Sequence, residues 1–79
     1  MMPISLRILA FASAADQLGT RERVIECLPT DLPRQIVERL GLCCDERVMR
    51  IAVDGEYHAW DSPVGNALEL ALIPPVCGG

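Results

Sequence analysis

Two consecutive prolines, Pro74 and Pro75, close the last apolar run of the sequence, residues 68–73. Proline donates no hydrogen bond to a sheet and restricts the preceding residue to extended geometry, so a strand over this run must end here. We therefore predict an extended tail over 74–79, kept stiff by the prolines and thin by two final glycines that lack a Cβ. Six extended residues span roughly 20 Å, enough to carry the Gly79 carboxylate into the cleft of another protein.

The first third of the chain alternates strand and helix patterns. Residues 4–11 alternate and then become apolar on both sides, which is typical of a strand that enters the centre of a sheet. Residues 12–18 are rich in alanine and precede Gly19, which predicts a short helix closed by a glycine. β-Branched residues stand among charges in 20–28, which predicts an edge strand whose charges protect its open side.

The main helix has the clearest pattern. Thr30 or Asp31 can cap it, Pro33 suits its first turn, and Gly41 lies where the residue after the helix belongs. Its apolar side chains share one face, namely Leu32, Ile36, Val37 and Leu40. This stripe predicts packing against a sheet rather than a cofactor site.

A hairpin and a final strand complete the pattern. Residues 48–53 and 56–60 read as two strands joined by Asp54–Gly55, a turn sequence that tolerates positive φ. Asp61, Ser62 and Pro63 break the second strand before the final run. The order of these elements predicts one α+β domain over residues 1–79, with a single sheet and one main helix.

The length and composition of the chain exclude several classes of function. A chain of 79 residues has a small core, so an interface with a partner is expected. The net charge of −4 and the pI of 4.7 argue against nucleic-acid binding, which needs clustered Lys and Arg. No apolar run is long enough to span a bilayer and the amino terminus lacks the pattern of a signal peptide, so we expect a cytoplasmic protein with no membrane partner.

The side chains that could carry chemistry form no recognisable site. The four cysteines, Cys27, Cys43, Cys44 and Cys77, lack CxxC spacing, and the adjacent pair is too constrained to bridge itself. We expect reduced thiols and no metal site. His58 has neither a nucleophile motif nor a carboxylate placed by spacing, so we expect no catalysis by this chain alone.

Residues 72–79 resemble the end of the small subunit of molybdopterin synthase, the MoaD-like members of the MoaD/ThiS ubiquitin-like sulfur carriers. Those chains close with two apolar residues, Pro-Pro-Val, a small residue and Gly-Gly. Phe11–Ala12 followed by 18–20 looks like the first strand, helix and glycine turn of the family, and 52–57 matches its central hairpin. The resemblance implies a β-grasp fold, a mixed sheet of about five strands on one main helix with parallel first and last strands and a flexible C-terminal Gly-Gly tail.

The resemblance also implies a function. An E1-like adenylyltransferase would use ATP to adenylate Gly79, and a persulfide sulfur donor would then replace AMP to give a thiocarboxylate. The large subunit of molybdopterin synthase would receive the tail and pass the sulfur to cyclic pyranopterin monophosphate, within a hetero-oligomer. No cofactor would be bound permanently. The residues implied in tail insertion are Pro74, Pro75, Val76, Cys77 and Gly78.

The alternation of side chains along the last strand predicts which face docks on a partner. Leu68, Leu70 and Leu72 share one face of the last strand, whereas Ala71 and Ile73 share the other. If the leucine face packs on the helix, then Ala71 and Ile73 are free to meet a partner, and Phe11 is expected to join them.

The sequence departs from the family pattern at three places. Ala67–Leu68–Glu69 stands where the family usually has Gly-Asp-Glu, Asp54 where asparagine is common, and Cys77 where serine or threonine is commoner. Other functions fit a β-grasp with this ending. They are a sulfur carrier for thiamine thiazole synthesis, for tRNA thiolation or for cysteine synthesis, and a ubiquitin-like interaction module that is never activated.

Overall fold

A computed structural model describes residues 2–42 and 45–75. Its elements are β1 (Ile4–Ala10), α1 (Ala12–Leu18), β2 (Glu22–Cys27), α2 (Pro33–Arg39), β3 (Arg50–Val53), β4 (Glu56–Tyr57) and β5 (Glu69–Ile73). The strands form one sheet in the order β2-β1-β5-β3-β4. β1 and β5 are parallel and the other pairs are antiparallel. The predicted β-grasp arrangement, with its parallel first and last strands, is confirmed.

Both helices cover the same face of the sheet, where they share one apolar cluster with the strands. The side chains with at most 1% exposure in this cluster are Leu6, Ile8, Ala14, Ile36, Ile51, Leu70 and Leu72. The prediction that Leu70 and Leu72 face the core is therefore confirmed. The same prediction is wrong for Leu68, which precedes β5 and remains 75% exposed.

The start of α2 corrects one prediction. The N-cap is Leu32, not Thr30 or Asp31, and the N–H of Leu32 donates to the side-chain oxygen of Gln35 at 3.0 Å. Asp31 is used elsewhere, since its carboxylate accepts the N–H of Leu28 at 2.9 Å and lies 3.3 Å from a guanidinium nitrogen of Arg39. The acidic side chain thus closes the turn before the helix instead of capping the helix itself.

The hairpin has the predicted turn but shorter strands. Asp54 and Gly55 have φ values of 51° and 85°, which suit a two-residue hairpin turn of the primed type. β4 ends at Tyr57 rather than at residue 60, because the chain turns inward to place the partly buried Trp60 against the core. The indole N–H of Trp60 donates to the carbonyl of Met49 at 3.2 Å.

The turn between β3 and β4 also holds the beginning of β5. The Asp54 carboxylate accepts the N–H groups of Leu68 and Glu69 at 2.9 and 3.0 Å, while its own N–H donates to the Glu69 carbonyl at 3.0 Å. These three bonds join the turn to the backbone of Leu68 and Glu69, and the side chain of Asp54 is the acceptor for two of them.

Asp54→Ala is therefore expected to lower the free energy of unfolding by about 1–2 kcal/mol, because two N–H groups lose their acceptor. Asp54→Asn should have little effect, since its amide oxygen can accept the same bonds and asparagine tolerates positive φ. Thermal unfolding of both variants provides the measurement. A melting temperature for the alanine variant equal to that of the unaltered chain would show that the carboxylate does not support the turn.

Candidate functional site

The tail leaves the sheet at its middle strand. β5 lies between β1 and β3 and pairs with both, so its C-terminal end is held from either side. Pro74 is buried and Pro75 is exposed, which marks the point at which the chain emerges. The other residues predicted to insert into a partner or to react, Val76, Cys77, Gly78 and Gly79, lie outside the described residues.

Strand register identifies the side chains around this point. Ala10 pairs with Leu72, so the next residues along the two parallel strands, Phe11 and Ile73, stand level with each other. On the other side of β5, Arg50 pairs with Ile73. Phe11 keeps an extended backbone and is 52% exposed, whereas Ile73 is partly buried.

The sheet face opposite the helices is open, and an apolar row crosses it beside the exit of the tail. Leu9 pairs with Ala71, Ala71 with Ala52, and Ala52 with Tyr57. The two alanines leave the centre of the row flat, while Tyr57 stands 73% exposed at its edge. We call the five residues Leu9, Phe11, Ala71, Ile73 and Tyr57 the exit surface.

The structure thus places the three residues predicted to bind a partner, Phe11, Ala71 and Ile73, at the same end of the open face. Ala71 is only 8% exposed, so it can offer a flat backing rather than a projecting contact. Leu9 and Tyr57 were not predicted. Alternation along a strand predicts which residues share a face, but pairing register is needed to bring Tyr57 into line with Ala71.

A groove continues the exit surface toward α1. It has a volume of about 390 Å³ and is lined by Phe11, Ala15 and Arg21 among others. Ala12, which also lines the groove, has a φ of 48°, a conformation that is uncommon for residues with a Cβ. The strained backbone lets the chain turn directly from β1 into α1 and leaves Phe11 projecting from the open face.

Away from the exit surface, three of the described groups that could react are buried or bonded to other residues. The Cys27 thiol is buried, and desolvation, with a smaller contribution from Asp31, raises its pKa. His58 lies 2.9 Å through Nε2 from the carbonyl of Ser62. The Arg34 guanidinium lowers the pKa of Glu46 through two hydrogen bonds of 2.6 Å. The contacts of His58 and Arg34 thus tie loop residues to neighbouring parts of the chain.

Residues 2–42 and 45–75 contain no group of three His, Cys, Asp or Glu side chains placed to hold a metal ion. In the same residues, neither helix has the length and apolar character needed to cross a bilayer.

A family model described as ThiS family matches residues 8–79. The comparison with curated proteins gave no match. A search of solved structures finds a putative molybdopterin converting factor, subunit 1, from Pyrococcus furiosus, with a TM-score of 0.71 and 24% identity over 92% of this chain and 99% of that one. Small archaeal modifier protein 1 from Haloferax volcanii has a TM-score of 0.73 and 23% identity over 95% of this chain and 99% of that one. The protein of the same name from Methanosarcina acetivorans has a TM-score of 0.70 and 16% identity over the whole of both chains.

Proposed function

The chain belongs to the ThiS family, and we propose that within it this chain is the sulfur-carrier small subunit of a molybdopterin synthase. One observation carries the proposal. Directly after the central strand β5, the sequence runs Pro-Pro-Val-Cys-Gly-Gly, and the family match extends through these residues to position 79. Thiazole-type carriers also end in Gly-Gly but usually lack the Pro-Pro-Val that precedes it.

The position of the tail suits a carrier. The tail follows β5, which pairs with β1 on one side and β3 on the other, so its base is fixed in the centre of the sheet. When extended, the four residues beyond Pro75 span roughly 14 Å. A reactive group on Gly79 can therefore enter a narrow cleft while the body of the domain stays outside.

The proposed chemistry takes place on Gly79 inside partner enzymes. In the activating enzyme, a carboxylate oxygen of Gly79 attacks the α-phosphorus of ATP, and pyrophosphate leaves. The terminal sulfur of a persulfide then attacks the acyl carbon, and AMP leaves. A thiol that cleaves the resulting sulfur–sulfur bond releases the chain as a thiocarboxylate, which is a nucleophile at neutral pH. The glycines contribute by letting both enzymes approach the backbone closely.

Docking would use the exit surface. It is flat and apolar, it surrounds the base of the tail, and it is left uncovered by the helices. An apolar patch beside a reactive tail is typical of a surface that a partner covers. We assign this role to the large synthase subunit, which would receive the tail and the sheet face together in a hetero-oligomer.

The test is reconstitution. The thiocarboxylate form of this chain, mixed with the large synthase subunit and cyclic pyranopterin monophosphate, is expected to yield the dithiolene product. The same thiocarboxylate offered to a thiazole synthase is the matched comparison. Dithiolene formation supports the proposal, whereas transfer to the thiazole enzyme alone would assign the chain to thiamine synthesis.

A substitution at Cys77 tests whether its thiol takes part in sulfur transfer. If this residue only fills a narrow tunnel, Cys77→Ser should retain most of the sulfur-transfer activity, because the side-chain volume changes little. Adenylation and thiocarboxylate formation can be measured separately for this variant. Normal adenylation with loss of the thiocarboxylate would show instead that the Cys77 thiol relays sulfur, since a thiolate can exchange with a nearby persulfide.

A further inference from the structure

The seven basic side chains of the sequence are all arginines, and the structure describes each of them. Those with a carboxylate within 4 Å are Arg7, Arg34, Arg39 and Arg47. Arg23 donates to the carbonyl of Leu18 at the end of α1, at 3.2 Å. Arg21 and Arg50 have no carboxylate partner in residues 2–42 and 45–75, although the chain has 11 acidic residues.

These two arginines stand on either side of the tail exit. The Arg21 carbonyl accepts the N–H of Ala10 at 2.9 Å, which places Arg21 next to the end of β1. Arg50 pairs with Ile73 at the end of β5. Because the strand order is β2-β1-β5-β3, three strand spacings separate them, roughly 14 Å along the sheet.

Each side chain adjoins an apolar part of the exit surface. The Arg50 guanidinium lies over the Tyr57 ring, 5.8 Å from its centroid, which restrains the side chain while leaving its N–H edges available. Arg21 lines the groove beside Phe11. Glu22 lines the same groove, but its carboxylate is 3.8 Å from Arg7.

Acidic side chains without an arginine partner occur at the opposite end of the strands. Glu26 pairs with Ser5 near the start of β1, and Glu56 pairs with Val53 near the hairpin turn. Neither carboxylate forms an ion pair with the described arginines. Among the described residues, Arg21 and Arg50 thus leave positive charge without a carboxylate partner on both sides of the tail exit, whereas these two carboxylates lie at the far end of the strands.

We propose that Arg21 and Arg50 form a cationic rim that directs the exit surface onto a partner face with an apolar centre and carboxylates on both sides. The inference rests on the proposed function for the partner's identity, the large synthase subunit. Carboxylates opposite the rim accelerate encounter and fix the orientation in which the tail enters the cleft, because charges at the edge of an interface act mainly on association. Arg50 contributes most, since its side chain is already restrained against Tyr57.

The test measures association of the full chain with the large synthase subunit by stopped flow, at low and at high salt. The double variant Arg21→Gln/Arg50→Gln is expected to associate roughly tenfold more slowly at low salt and to lose most of the salt dependence. The control is the double variant Arg39→Gln/Arg47→Gln. It removes the same total charge as the test variant, but from two arginines that form ion pairs. Its association rate should stay close to that of the unaltered chain.

An equal fall in the association rate of the control variant would overturn the inference, because the net charge of the chain rather than the rim would then govern encounter. So would a double variant whose rate and salt dependence match those of the unaltered chain. If a substitution within the exit surface itself, Ile73→Asp, weakens binding in that case, the proposed function stands and only the rim is wrong. No binding by the unaltered chain would overturn both.

Discussion

Replacing Leu70 by aspartate is expected to unfold the domain. Leu70 is fully buried in β5, the strand that joins β1 to β3. The substitution removes about 1.5–3 kcal/mol of burial and places a carboxylate where no partner can satisfy it, which adds several kcal/mol. Since a domain of this kind has only about 5–15 kcal/mol of stability, we expect no cooperative thermal transition at room temperature or above.

The same substitution at Ile73 is expected to separate binding from folding. Ile73 lies on the open face, three residues farther along the same strand, where a carboxylate remains hydrated. Its melting temperature should change by a few degrees at most. Burial of an isoleucine at an interface is worth about 1.5–3 kcal/mol, so affinity for the large synthase subunit should fall roughly tenfold to hundredfold.

Leu68→Asp is the matched control, because Leu68 is 75% exposed and lies at the opposite end of β5 from the tail. It should preserve both the melting temperature and the affinity. Calorimetry and a binding titration on the three variants decide the assignment of faces. Melting of the Ile73→Asp variant, or an affinity equal to that of Leu68→Asp, would show that the open face is not the docking face.

Deletion of Gly79 should abolish sulfur transfer and leave the fold intact. The core is built from residues up to Leu72, and the deletion removes none of them. The remaining carboxylate, on Gly78, would sit roughly 3.5 Å short of the position from which it attacks the α-phosphorus of ATP. A displacement of this size is large against the tolerance of an active site.

The variant Gly79→Ala separates the effect of tail length from the effect of the residue that carries the carboxylate. It keeps the carboxylate at the same distance along the tail but adds a Cβ, so it should be activated more slowly rather than not at all. Circular dichroism confirms the fold of both variants, and turnover is followed with the activating enzyme and ATP. Full turnover by the shortened chain would remove Gly79 from the proposed mechanism.

Much of the fold could be predicted because local patterns and tertiary packing agree. Pro74 and Pro75 end β5 where expected, and Gly19 closes α1 with a φ of 82°. The error at the start of α2 occurs because one side chain had two possible local partners. Asp31 could cap α2 or close the preceding turn, and only the folded chain shows that it bonds to Leu28. Propensity cannot choose between two geometries that are both favourable.

The exit surface was predictable only in part, for a different reason. Alternation along one strand separates Ile73 from Leu72, which is enough to propose a free face. The contribution of Tyr57 depends on how β4 is aligned with β3, and the position of Arg50 beside this surface depends on its pairing with Ile73. These neighbours are far apart in the sequence, so no local pattern brings them together.

Formation of a thiocarboxylate on Gly79 is the most direct test of the sulfur-carrier function. The intact chain is incubated with the activating enzyme, ATP and a persulfide donor, and its mass is measured. We predict the mass change of one sulfur replacing one oxygen, located by fragmentation to Gly79 and dependent on ATP. An unchanged mass, while a known carrier in the same mixture is converted, would contradict the account.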